Sequence, residues 1–310
     1  MNNNKVDLAN NDVMVKKKIV DHYDDLLPDD SLALHLGFYE KGIRTIKEAE
    51  FNMNNYVGKL LDLDSLNTTK GTILDAGCGV GGTSIYLAKK YPHIKFVGIT
   101  LVPRQVHLAN KFAREKDVSS NTEFIVGDYC ETGLPSNSFD GVFALESSCY
   151  SIDKKRLVQE IARVLKSNGK FVVLDGFIPD EISNYFVQIA YEYYCDTWAV
   201  SNYIVLKEFL SNLKDAGFDN IEVQDITKNI FLFHFIGILK GLAYFLFVTL
   251  WKKQKEETKS EALHFSGEKI TKPPGKNPFI YLITQFFSPV IIFLSRKFRY
   301  MAITCVKQPK

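Results

Sequence analysis

Between residues 72 and 176, short apolar runs alternate with amphipathic stretches. The runs at 72–75, 95–99, 123–127, 141–145 and 171–174 have the length and the β-branched and aromatic content of buried strands. Between them, 82–91, 103–116 and 153–166 carry helical periodicity; Leu157, Ile161 and Leu165, four residues apart, fall on one helix face. Such alternation predicts βαβ units and an α/β, Rossmann-like, doubly wound and mostly parallel seven-stranded sheet. Ligands of such sheets lie beyond the carboxyl ends of the strands.

The flanks have a different texture. Residues 13–66 read as a helical lid, broken at 26–31, with Ser31 placed to cap the next helix. After Gly176 an aromatic, helical stretch runs to about 205. A helix at 207–216 is stopped by Gly217, and a strand comes next at 221–226. Two strongly apolar segments, 229–251 and 278–294, are separated by a charged stretch containing Pro273-Pro274-Gly275, and a strand at 299–306 closes the chain. This gives a disordered lead at 1–12, a lid at 13–66, a core at 67–228, an apolar helical insertion at 229–296, and a last strand and tail at 297–310.

The two apolar segments approach the length of a membrane span. Lys240, Pro289 and their position between two strands of one sheet argue against spanning. Flanking Lys252, Lys253, Lys255, Arg296, Lys297 and Arg299 suit a lid resting on a membrane surface; a buried cap around an apolar pocket suits the pattern equally. Either arrangement implies a lipophilic small-molecule partner.

Composition narrows the field. The 310 residues carry a net charge of +2 with no basic stripe, so nucleic acid is not the expected partner. Cys78, Cys130, Cys149, Cys195 and Cys305 form no C-x-x-C pair, and their odd number argues against a disulfide framework; a cytoplasmic setting, peripheral at a membrane if the lid touches one, fits. The polar, Asn-rich start has no signal-peptide core. No His/Cys spacing points to a metal, no G-x-S-x-G or Cys–His signature points to a protein nucleophile, and the pattern leaves the oligomeric state open.

Chemistry concentrates at 73–82, Ile-Leu-Asp-Ala-Gly-Cys-Gly-Val-Gly-Gly. Gly77, Gly79 and Gly82 satisfy G-x-G-x-x-G, a weak signal by itself for a ligand at a helix N-terminus. A dinucleotide would bring a pyrophosphate toward Asp75, and the next strand ends Gly98-Ile99-Thr100-Leu101 without a ribose-binding acid. A cationic ligand beside Asp75 is electrostatically preferable.

The same stretch resembles the first motif of class I S-adenosylmethionine-dependent methyltransferases. Gly98 to Gln105 resembles the G-[IV]-T-L-S-x-x-Q motif of the branch containing sterol, tocopherol and prenyl-diphosphate methyltransferases and cyclopropane fatty acid synthases. Gly127-Asp128-Tyr129, with Leu134-Pro135 and Ser138-Phe139-Asp140, resembles the third signature. The resemblance implies S-adenosylmethionine as cofactor, S-adenosylhomocysteine as product, and contacts from Asp75, Gly77, Cys78, Gly79, Thr100, Leu101, Gln105, Asp128, Tyr129 and Leu145. It gives Asp128 the adenine amino group.

His35-Leu36-Gly37-Phe38-Tyr39 and Glu48-Ala49 resemble the N-terminal segment of the sterol and tocopherol enzymes, which closes over the active site, and 144–150 resembles their E-[AS]-x-x-[HY] stretch. The expected activity is C-methylation of an isoprenoid, terpenoid or sterol-like alkene. Methylation of a quinol, tocopherol-like phenol or alkaloid is the rival, and a non-catalytic, cofactor-binding, membrane-docking protein is the alternative of another class. An alkene acceptor needs a carboxylate or aromatic faces beside a developing cation and a base for its proton. Glu146, Tyr150, Tyr39 and His35 are the candidates, with His22 as a further base and Tyr191, Tyr193, Tyr194 and Trp198 as a further lining. Each has a plainer reading: a lid-binding carboxylate, a structural histidine, a solvated helix face, and ordinary core aromatics.

Overall fold

The computed structural model describes residues 2–24, 28, 30–66, 70–178, 182, 184–200, 203, 205–232, 264–265, 268–269, 291 and 294–309, with the backbone alone at 2–11, 264–265 and 268–269. Its centre is a seven-stranded sheet built from β1 (Thr72–Ala76), β2 (Lys95–Thr100), β3 (Thr122–Val126), β4 (Phe139–Leu145), β5 (Leu165–Phe177), β6 (Phe218–Asp225) and β9 (Arg299–Lys307). Two short strands, β7 (His264–Phe265) and β8 (Glu268–Lys269), pair only with each other. The sheet order is β3-β2-β1-β4-β5-β9-β6. The first five strands are parallel, and β9 runs antiparallel between β5 and β6. The order reverses at β1, so the crevice above β1 and β4 is the switch point where such a sheet receives a ligand.

The inner strands β1, β2 and β4 and the second half of β5 are buried because both faces are covered, which is why they read as apolar runs rather than as alternation; the edge strands β3 and β6 are more exposed. On one face α4 (Gly82–Lys90) and α2 (Ile46–Leu60) pack over Ile73, Phe96 and Phe143. On the other, α6 (Lys154–Val164) sets Leu157, Val158 and Ile161, all fully buried, against Val142 and Phe171. Remaining helices are α1 (Asn2–Tyr23), α3 (Leu63–Leu66), α5 (Pro103–Glu115), α7 (Tyr185–Thr197) and α8 (Leu206–Asp215). Helix α2 begins with a full capping box between Thr45 and Glu48.

The structure departs from the sequence expectations in the flanks. The lead expected to be disordered at 1–12 is helical from Asn2, continuous with the rest of α1. Its composition is unfavourable, but α1 is anchored further along by buried Ile19 and by a Lys16–Asp128 ion pair, and tertiary anchoring outweighs propensity. Residues 31–45, expected to be helical, are irregular. Their backbone groups bond outside the segment: Phe38 N–H donates to Ala49 O at 2.9 Å, and Tyr39 N–H to Asn229 O at 3.0 Å. Ser31 accepts from Ala33 N–H in a local turn and begins no helix. After Gly176 the aromatic helix is confined to Tyr185–Thr197.

The 229–296 insertion leaves the sheet at β6 and returns at β9, and these two strands are neighbours in it. The segments 229–251 and 278–294 otherwise lie outside the described residues, apart from helical residues 229–232, 291 and 294. Among the described residues, no helix is long and apolar enough to cross a membrane.

Candidate active site

A cavity opens at the carboxyl ends of β1, β2 and β4. Its floor is the glycine-rich turn, Asp75, Thr100 to Val102, Gln105, Tyr129 and Leu145 to Ser147; its roof is Ile19 and Tyr23 of α1 with Leu32, Leu34 and His35. The turn demands its glycines. Gly77 and Gly79 hold φ of +97° and +52°, and a Cβ on Gly77 would lie 2.4 Å from Ser147 Cβ. Gly82, with ordinary φ, is constrained by space: a Cβ there would meet Leu32 O at 2.1 Å. The N-terminal segment thus crosses directly over the turn.

Asp75 is 3% exposed and accepts from Ser84 Oγ at 2.7 Å. Burial pushes its carboxyl up to about 7, although the Ser84 bond opposes this. Thr100 Oγ1 donates to Gln105 Oε1 at 2.7 Å, joining the end of β2 to the first turn of α5. Ser147 Oγ donates to Ala76 O, and Tyr129 O–H donates to Ser147 O at 2.7 Å, so the loops after β1, β3 and β4 are tied together.

Glu146 comes directly after β4 and adopts φ of +50°, a left-handed backbone that a residue with a side chain rarely takes. Its N–H donates to Leu174 O at 2.8 Å, anchoring it to β5. Its Oε1 accepts from Leu36 N–H at 2.8 Å and from Tyr300 O–H at 2.7 Å. Desolvation, with nearby Asp175, raises the carboxyl to about 8, against the pull of those two bonds. Glu146 therefore holds the lid and also lines the cavity.

His35 also lines the cavity, but its ring is committed. Nδ1 faces Leu36 O and Nε2 faces Asn54 Oδ1, each at 3.0 Å, and burial lowers its pKa. Tyr150 lines the cavity with its hydroxyl hydrogen-bonded to that of Tyr23, their rings meeting edge to face at 5.6 Å.

Nine of the ten residues expected at the cofactor, all but Asp128, line this one cavity. Asp128 lines an adjoining, smaller cavity with Lys16 of α1, sharing Leu101, Tyr129 and Tyr150 with the first. Of the catalytic candidates, Glu146, Tyr150 and His35 are together, and Tyr39 is elsewhere: its backbone is bonded to Asn229, and it is absent from the lining. His22 also lies outside the lining, stacked edge to face on Tyr23. Tyr191 and Tyr194 are buried in a separate core with Tyr203 and Phe298, against which Trp198 packs. Three contributors were not expected from the sequence. Ile19 and Tyr23 lie on a helix whose weak amphipathicity gave no sign of its buried face, and Tyr300 comes from the last strand, 154 residues beyond Glu146.

Comparison with known proteins agrees with this geometry. Residues 74–173 match the family model described as a methyltransferase domain. The chain is 30% identical over 214 residues to a probable chloroplastic tocopherol O-methyltransferase of rice, covering 64% of this chain and 57% of that protein. It is 30% identical over 160 residues to a sterol 24-C-methyltransferase of Aspergillus fumigatus, covering 50% of this chain and 41% of that one. The chain thus spans about half the length of these curated relatives. In fold it is similar to geranyl diphosphate C-methyltransferase from Streptomyces coelicolor in complex with Mg2+, geranyl diphosphate and S-adenosylhomocysteine: TM-score 0.67 at 16% identity, over 94% of this chain and 98% of that one. The family match over residues 74–173 and the seven-stranded sheet are those of a methyltransferase domain. The glycine cradle and the buried Asp75 carboxyl suit S-adenosylmethionine, the cofactor that the sequence motifs imply.

Proposed function

We propose that this protein is a methyltransferase acting on a neutral, lipophilic acceptor, and that the acceptor is an isoprenoid or sterol-like alkene methylated on carbon. The observation that carries the reading is Glu146: a buried carboxyl at the end of β4, held in a strained backbone and turned to the cavity shared with the cofactor-binding turn. S-adenosylmethionine, held by the Gly77–Gly82 turn, Asp75, Thr100 and Gln105, supplies an electrophilic methyl group. An alkene acceptor becomes cationic when it gains a methyl group, and it must then lose a proton. Ionised Glu146 offsets that positive charge and accepts the proton. Tyr150 and Tyr23 present aromatic surface on the same wall. The lid of α1 and 32–35 excludes water, which would otherwise capture a cation.

Acceptor charge is set by the lining. Its acids are Asp75 and Glu146, and among the described residues it carries no Lys or Arg to pair with a diphosphate. The relatives named above act, by their names, on sterols and tocopherol, which are uncharged lipids. Ring or O-methylation of a phenol is the second reading; it needs one base, and Glu146 supplies that too. The test is incubation with methyl-labelled S-adenosylmethionine and a lipid extract, followed by identification of the labelled product. A labelled neutral lipid, formed by the wild type and not by E146Q, supports the proposal. Label only in water-soluble or protein fractions overturns it.

A further inference from the structure

Tyr300 lies on β9, between β5 and the edge strand β6, paired with Gly176 of β5. It is one of the largest fully buried side chains of the protein. Its backbone is locked to the segment that follows β6: its N–H donates to Thr227 Oγ1 at 3.0 Å, and its carbonyl accepts from Ile226 N–H at 3.0 Å. From this fixed base the ring reaches across β5 and places its hydroxyl 2.7 Å from Glu146 Oε1. The hydroxyl is also 3.4 Å from Leu174 O, the carbonyl that accepts from the Glu146 N–H. Tyr300 does not line the cavity.

We infer that Tyr300 is a positioning residue for Glu146: its hydroxyl, donated to Oε1 together with the Leu36 N–H, fixes one carboxyl oxygen and leaves Oε2 for the acceptor. Among the described residues, Oε2 accepts no hydrogen bond. The two donors come from opposite ends of the chain, one on the lid and one on the last strand. Only the tyrosine donor stays in place when the lid moves, because it belongs to the sheet. Other ionisable groups around the carboxyl are Asp175, which raises its pKa, and Cys149 and Tyr194, whose own pKa values Glu146 raises. Tyr300 is the side-chain donor that favours the ionised form.

The inference rests on the reading of Glu146 as an acceptor-facing base, and its test is arranged to stand apart from that reading. In Y300F one oxygen is removed and no atom is added. Infrared difference spectra between parent and E146Q proteins isolate the protonated carboxyl band of Glu146 and titrate it without turnover. The midpoint should rise by about one pH unit in Y300F, with cofactor affinity unchanged. The pH limb of kcat should move by the same amount, with kcat lowered about tenfold near neutral pH and KM little changed. In an E146Q background, adding Y300F should change residual turnover less than about twofold. An unmoved infrared midpoint in folded Y300F, or an equal loss of turnover with and without the Glu146 carboxyl, overturns the inference. If no acceptor is ever turned over, the functional reading fails while the infrared titration still decides the role of Tyr300.

Discussion

Lys16 Nζ lies 2.8 Å from Asp128 Oδ2, so the first helix is pinned to the loop after β3 at the residue expected to hold the adenine amino group. The other carboxylate oxygen, Oδ1, accepts from Cys130 N–H at 2.7 Å. A second tether, Arg104 Nη1 to Asp24 O at 2.7 Å, holds the far end of α1. Because Ile19 and Tyr23 of α1 line the roof of the site, release of these tethers is the expected route for cofactor entry. The Lys16–Asp128 pair is partly exposed and worth about 1 kcal/mol or less. K16M should therefore raise both the association and dissociation rates of S-adenosylhomocysteine about threefold, leaving affinity nearly unchanged. Stopped-flow fluorescence measures both, and unchanged rates would show that α1 does not gate the site.

Glu146 and His35 share the cavity wall and differ in what they have left to give. Both His35 ring nitrogens face oxygen acceptors, while Glu146 keeps one carboxyl oxygen clear of the two bonds on Oε1. With a pKa of about 8, Glu146 must ionise to serve as a base, so kcat should climb about tenfold per unit below pH 8 and level off above it. E146Q should cost about a hundredfold or more in kcat and abolish the limb. H35N should keep the limb while weakening the lid. A limb that survives in E146Q would move the base elsewhere.

Asp75 and Glu146 also make stability depend on pH. Both have folded-state pKa values, about 7 and about 8, above the ordinary carboxylate range near 4. Between roughly pH 4 and 8 the folded state therefore binds more protons than the unfolded chain, and stability falls as pH rises. The contribution is fully favourable to the fold only below the unfolded value, and the penalty is complete above about 8. The melting temperature of the cofactor-free protein should drop by about 5 °C or more between pH 6 and 9, and D75N combined with E146Q should flatten that slope. A rising or level slope in the parent would contradict the buried, proton-holding state of these carboxyls.

Gly82 offers a separate test of the roof. Its Cβ position is 2.1 Å from Leu32 O, a backbone atom, so G82A must displace the 30–34 segment. The expected cost is about 2–4 kcal/mol of stability, with loss of cofactor affinity and faster proteolysis near residue 32. A fully stable G82A variant would mean that the N-terminal segment does not lie on the turn.

The core was legible because its strands and helices satisfy local rules. Apolar runs such as 141–145 and 171–174 are what a sheet covered on both faces requires, and Gly77 is dictated by its backbone. Residues 31–45 were not legible, since their conformation is decided by bonds to Ala49, Glu146 and Asn229 rather than by neighbours in sequence. The same reason hid Tyr300, whose partner is 154 residues away. Tyr39 was misplaced because a motif position says nothing of which way the chain turns, and here it turns toward Asn229. Asp128 lies on the loop after β3, and its ion pair with Lys16 was not legible because it depends on where α1 packs, which no local pattern in the helix reveals.

The central claim is that the cavity transfers a methyl group to an uncharged lipophile. The most direct measurement supplies trideuteromethyl S-adenosylmethionine with one isoprenoid skeleton in two forms, as the free alcohol and as its diphosphate, together with a sterol bearing a side-chain double bond. Products are tracked by mass spectrometry in the parent protein and in E146Q. The account predicts a deuterated methyl on carbon in a neutral acceptor, at least tenfold faster than in the diphosphate, and lost in E146Q. Preferential methylation of the diphosphate, or a neutral product formed equally well by E146Q, would contradict it.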